Sequence, residues 1–151
     1  MKLTTVFTIL IVVAVAGVMF YLFIPYLFQN TYQGTIAFDN SDEANFEGHG
    51  YHTGGSSYGP IYLKPVDTVL VEEKGNPCGS SYLQYNYALL IDDETGEVVD
   101  TAKFTIMNPS RLESPYQGSF RIGVGVIKSI LYDPENSVGD WELEITVKKN
   151  T

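Results

Sequence analysis

Val6 to Phe28 (VFTILIVVAVAGVMFYLFIPYLF) runs for 23 residues without a charged side chain. A hydrocarbon core of about 30 Å needs roughly 20 apolar residues in a helix, so the run is long enough to cross a bilayer. Thr8 is its polar interruption. Gly17 and Pro25 are tolerated in spanning helices, and Tyr21 and Tyr26 lie toward the distal end, where ring side chains favour the headgroup level. No other feature restricts the outcome as strongly. Once these residues are given to lipid, residues 29–151 remain, a normal size for one domain folding in water.

The competing reading is a cleaved signal peptide, with Lys2 as a minimal basic region and Ala14-Val15-Ala16 as the processing site. Cleavage there would leave Gly17–Phe28 as an apolar start on a soluble protein, so an uncleaved anchor is expected. No cysteine ends the run, which removes the lipoprotein route. Lys2 precedes the run and the next basic residue is Lys64. The positive-inside rule therefore predicts residues 1–5 in the cytoplasm, Val6–Phe28 in the bilayer and residues 29–151 outside. All 18 acidic residues and all but one of the 9 basic residues follow the run. Such a domain lacks the clustered Lys and Arg that phosphate binding requires, so nucleic acid is not an expected partner. With 44% apolar and 13% aromatic residues it is also unlike a disordered acidic chain.

Residues 29–59, rich in Gly, Ser, Asn and acids, read as a stalk and Gly-rich loop with one short strand, Gly34–Phe38, and a loop over Gly48–Ser57. Residues 60–151 read as strand after strand. Tyr82–Ile91 alternates, with Leu83, Tyr85, Tyr87, Leu89 and Ile91 on one face and Gln84 and Asn86 on the other, which Ala88 and Leu90 make partly apolar too. The turn Asp92–Gly96 follows, Gly96 suiting a positive φ, and Glu97–Met107 returns with Ala102 and Phe104 on one face. Phe120, Ile122, Val124 and Val126 alternate with Arg121, Gly123 and Gly125. In Trp141–Val147, Trp141, Leu143, Ile145 and Val147 point inward and Glu142, Glu144 and Thr146 outward, a half-buried strand pattern. Ile127–Tyr132 is ambiguous. About seven short strands with regular turns predict an all-β, two-sheet antiparallel sandwich after the helix.

Chemistry-bearing residues are sparse. His49 and His52 are the only histidines and could begin a metal site with Glu47 or Asp42, but no third ligand spacing supports one. A blue-copper set needs a His and a Met close behind the Cys, whereas both His precede Cys78 and Met107 lies far beyond it. Cys78, in Asn76-Pro-Cys-Gly-Ser80, has no base placed against it, and a lone extracytoplasmic cysteine suits a buried thiol or an intermolecular disulfide. The single cysteine excludes an internal disulfide framework and multi-cysteine zinc or iron–sulfur sites. Asp92, Asp93, Glu94 and Glu97 lack the calcium-loop pattern and read as a solvated hairpin tip. No cofactor and no catalytic constellation are expected.

Two features point to contacts. Tyr51–Tyr62 mixes Tyr51, Tyr58 and Tyr62 with Gly and Ser, the composition of adaptable binding loops. Gly123 and Gly125 fall on the outward face of their strand, where missing side chains suggest close approach of another subunit or a bulge.

The ending Pro134-x4-Gly139-Asp-Trp141-x-Leu143-x-Ile145-x-Val147, together with Ala88–Val98, resembles immunoglobulin-like domains of prokaryotic, especially archaeal, cell surfaces. That resemblance implies an immunoglobulin-like fold and no particular activity. The layout of one anchor before an acidic β domain is also similar to small accessory subunits of archaeal membrane complexes, such as the small subunit of thiosulfate:quinone oxidoreductase. The expected role is an accessory or scaffolding subunit beside a larger membrane protein. The alternatives are an envelope or adhesion protein binding glycan or neighbouring chains, and a cofactor-free subunit of a membrane oxidoreductase.

Overall fold

The computed structural model describes residues 2–27, 29–75, 86–104, 108–128 and 139–150. Helix α1 spans Leu3–Leu27. It starts before Val6 because Leu3, Thr4 and Thr5 are uncharged too. Its 25 residues extend about 37 Å at 1.5 Å per residue. The stretch Leu3–Tyr21 is long and apolar enough to cross a membrane, and none of it is buried against the rest of the chain. The Thr8 hydroxyl donates to the Thr4 carbonyl at 2.8 Å, which satisfies it within the helix.

Among the described residues ten strands follow: β1 Gln29–Phe38, β2 Asp42–Phe46, β3 His49–Thr53, β4 Tyr58–Leu63, β5 Thr68–Gly75, β6 Asn86–Asp92, β7 Val98–Lys103, β8 Ser110–Glu113, β9 Gly118–Ile127 and β10 Gly139–Lys148. They form two antiparallel sheets. One has the order β1-β10-β5-β8; the other has β2-β3-β9-β6-β7, with β4 also pairing β9. The inner faces of both sheets meet in one core. Ile36, Phe38, Val69, Val71, Leu112, Trp141, Leu143, Ile145 and Val147 come from the first sheet, and Leu63, Ala88, Leu90, Phe120, Ile122, Val124 and Val126 from the second. The inward set expected for the last strand is buried as read, with Trp141 between Phe104 (ring centroids 6.0 Å apart, stacked) and Phe38 (6.2 Å, edge-on).

The segment read as a stalk departs most from expectation. Only residue 28 separates α1 from β1, and β1 pairs with β10 along its whole length, from Gln29↔Lys148 to Phe38↔Gly139. The expected strand at Gly34–Phe38 is therefore the distal half of a longer one. The Gly48–Ser57 loop is half strand: β2 and β3 form a hairpin with Phe46 opposite His49. Its two-residue turn has positive φ at Glu47 (50°) and Gly48 (80°), the geometry that suits the twist of a tight hairpin. Glu is a weak signal for that first position, where Asn and Asp are usual, so the turn did not stand out in the sequence.

This hairpin wraps the outer face of its own sheet. β3 pairs with β9 at Tyr51↔Ile127 and His52↔Val126, and β2 comes round to lie beside β7. The curl encloses a second, smaller core of Tyr51, Leu89 and Val98, flanked by Ala44, Phe46, Tyr87, Ile91 and Ile127. Both faces of β6 are thus apolar because both are covered.

Hairpin β6–β7 forms where expected, Gly96 takes a positive φ of 73°, and Asp92 Oδ1 accepts the N–H groups of Glu94 and Thr95 at 2.8 and 3.0 Å. The expected strand residues 82–85 and 105–107, the ambiguous 129–132 and most of the loop before Gly139 lie outside the described residues.

Candidate functional site

His49 and His52 both lie on β3. Successive strand residues face opposite ways, so a spacing of three puts the two imidazoles on opposite faces. They do not converge on one ion, and no cluster of metal-binding side chains occurs among the described residues. Cys78 lies outside the described residues.

The tyrosine-rich segment does not form one surface. Tyr51 is buried at 2% exposure, packs edge-on to Tyr87 with ring centroids 5.3 Å apart, and lies 3.5 Å from the Thr101 hydroxyl. Tyr58 stacks on Tyr32 of β1 at 4.1 Å, closing one side of the sandwich. Only Tyr62 is prominently exposed, at 51%.

Gly123 and Gly125 are buried, and the close approach expected there comes from within the chain. A Cβ at Gly125 would lie 2.8 Å from Leu89 Cδ1, and one at Gly123 3.0 Å from Ile91 Cδ1. The glycines make room for the second core. Of the two alternatives expected there, another subunit or a bulge, neither is needed to account for the close approach that Leu89 and Ile91 make.

The curl leaves a concavity of about 190 Å³ between the β2–β3 hairpin and the sheet it covers. Asp42, Glu43 and the loop Thr53–Ser57 form its rim, and Leu89, Ile91 and Val98 its floor. The rim loop is fixed: Ser56 N–H donates to the Ala37 carbonyl at 2.9 Å, and Ala37 N–H to Ser56 Oγ at 2.8 Å. This covers a free edge of β1. The Glu43 carboxyl is held below its usual range by a hydrogen bond and ion pair with Lys128 at 2.6 Å.

A second feature lies at the end of the sandwich where the chain enters from α1. The register puts Gln29, Lys148, Thr68 and Glu113 side by side there. The 64–67 loop precedes β5, and the 114–117 loop joins β8 to β9. Asp67 clamps this end. Its carboxylate accepts the Lys64 N–H at 2.9 Å, the Asn150 N–H at 3.1 Å and the Lys149 ammonium at 3.2 Å. Burial alone would raise the Asp67 pKa, but these donors together hold it below the ordinary 3.8. At the neighbouring loop the Tyr116 hydroxyl donates to Asp92, which lowers the Asp92 carboxyl and pushes the tyrosine up to about 12.

A depressed folded-state pKa contributes stability that is present above the unfolded value and lost as pH falls through the folded one. Asp67→Asn is therefore expected to cost about 2 kcal/mol near neutral pH, the scale of hydrogen bonds to a charged group. The gap from the parent should close in acid, below the ordinary carboxylate range. Urea unfolding of the detergent-solubilised chain at both pH values measures this.

Sequence reasoning missed this end because its members come from three separated stretches, near 62–67, 114–117 and 148–150. Only strand register brings them together. The chain matches no protein family model and no curated protein.

Proposed function

We propose that the protein is a single-pass membrane anchor carrying an extracytoplasmic β-sandwich, and that it serves as an accessory subunit of a larger membrane complex. The observation that carries this reading is α1. From Leu3 to Tyr21 its apolar side chains are exposed all round, a surface that is stable only in lipid or against other helices. Gly17 leaves one side of the helix bare, which favours close approach by a neighbouring helix. The direct junction of α1 and β1 adds support, since a domain held without a linker suits a fixed position beside a partner. Orientation rests on Lys2 and the positive-inside rule.

An immunoglobulin-like relationship draws support from the β5–β8 and β6–β9 pairs, which sit in opposite sheets as the B–E and C–F pairs do in that fold. β10 departs from the pattern by pairing with β5 in place of β9. The adhesion reading has less support, because Tyr51 and Tyr58 are committed to packing.

Extraction of native membranes in mild detergent tests the role. Stoichiometric recovery with a polytopic protein is expected, and recovery of the chain alone would overturn the subunit reading. Protease treatment of intact cells should digest residues 29–151. A mature chain found in the medium, beginning at or after Gly17, would overturn the anchor. Turnover of the purified complex with and without this chain separates a scaffolding subunit from one that shapes a redox site.

A further inference from the structure

We propose that the end of the sandwich formed by the close of β4, the 64–67 and 114–117 loops and the close of β10 rests on the headgroup layer of the same bilayer that holds α1. This inference rests on the anchored reading of α1. It adds that the domain lies against the membrane and does not stand clear of it.

The first argument is chain geometry. An α1 of about 37 Å exceeds the roughly 30 Å hydrocarbon core by about the depth of one headgroup layer. With Lys2 at one surface, the other end of α1 reaches the outer headgroups. Only residue 28 lies between α1 and Gln29, and Gln29 is already paired with Lys148. No slack remains to lift this end from the surface.

The second argument is the side chains. Among the described residues beyond the helix, the large apolar or aromatic side chains that are exposed are Tyr32, Tyr62, Val66 and Tyr116. Val66 and Tyr116 sit on two of its loops, Tyr62 lies at the close of β4 beside them, and Tyr32 lies on β1 three residues after Gln29. Among the described residues of this acidic domain, the large exposed apolar groups thus lie toward the end beside its lipid anchor. Lys64, Lys148 and Lys149 accompany them. Lys149 Nζ bonds the Tyr62 carbonyl and lies 5.8 Å from the Tyr62 ring centroid. Tyrosine rings with lysine stems are the composition favoured at a bilayer interface, where the rings sit among headgroups and the ammonium groups reach phosphates. Acids of this end are engaged within the protein: Asp67 with Lys149, Glu113 with Arg111, Asp92 with Tyr116 and Asp93 with Arg121. Glu94 and Glu97 lie at this end too, on the β6–β7 turn, where their charges help to push the Tyr116 hydroxyl up.

The test places a nitroxide label at one site at a time on the full chain in phospholipid nanodiscs, in a Cys78→Ser background. The labelled variants are Val12→Cys in α1, Val66→Cys and Lys64→Cys in the loop, and Asn45→Cys on exposed β2. Collision with oxygen, which enters lipid, is compared with collision with a water-soluble nickel chelate. Circular dichroism matching the parent selects variants that fold, and the two loop sites provide independent readings. Val12 should be oxygen-rich, Asn45 nickel-rich, and the loop sites shifted between them. Loop labels that match Asn45 while Val12 stays oxygen-rich would overturn this inference and leave the anchor intact. A Val12 label as nickel-accessible as Asn45 would overturn the anchor and the inference together.

Discussion

Trp141→Ala is expected to remove about 3–5 kcal/mol from the stability of the β domain, the usual cost of emptying a large buried aromatic site. Trp141 is fully buried, at 0% exposure, between Phe38 and Phe104. It lies on β10, which joins β1 to β5 and so holds the first sheet together. The cavity would open where both sheets meet. Domains of this size hold roughly 5–15 kcal/mol in total, so most of the folded population is at stake at moderate temperature. Trp141→Phe separates the causes. The indole Nε1 has no hydrogen-bond partner among the described residues, so phenylalanine removes volume and no hydrogen bond. Its expected cost is nearer 1 kcal/mol, as for a modest large-to-small change. Trp141 is the only tryptophan, so the comparison is read by circular dichroism during urea unfolding. A Trp141→Ala chain that unfolds with the parent would show the two-sheet core to be wrong.

Gly55→Ala is the second large effect, expected at about 2–4 kcal/mol from backbone strain and overpacking together. Gly55 has a φ of 92°, and a Cβ there would lie 2.0 Å from the Ala37 carbonyl oxygen and 2.6 Å from its carbon. Those atoms are backbone, so no rotamer change relieves the contact. The loop must lift, which breaks the paired hydrogen bonds between Ser56 and Ala37 and bares the edge of β1. Gly48→Ala is the control. Gly48 has a comparable φ of 80° but nothing within 4 Å of its Cβ position. It should cost only the left-handed backbone penalty, about 1–2 kcal/mol. Equal losses in the two variants would show that the Gly55 loop does not press on β1.

Legibility in the sequence followed the density of local pattern. α1 could be read because an uncharged run of that length has few other uses. The inward face of β10 and the β6–β7 hairpin could be read because period-two alternation and an Asp-to-Gly turn leave a strong local trace. β2 and β3 could not. DEANF and HGYHT are short and mostly polar, and each offers only one or two apolar residues to a core that exists because the hairpin folds over another strand. The same limit left the reading of Gly123 and Gly125 open. Missing side chains signal that something approaches, and only the three-dimensional fold identifies it as Leu89 and Ile91. The tyrosines show a related effect, since Tyr51, Tyr58 and Tyr62 are alike in sequence yet one is buried, one stacked and one exposed.

By itself, the sequence determined that the chain holds one membrane-length apolar helix and, after it, strands that bury alternate residues. Both properties are periodic and local, and each residue reports its own part of them. Tertiary structure decided that no linker separates helix from sheet, that a polar hairpin closes a second core, and that Tyr62, Val66, Tyr116 and two C-terminal lysines share the end nearest the helix. Strand register and sheet curl set those relations, and they depend on partners dozens of residues apart that no local pattern encodes.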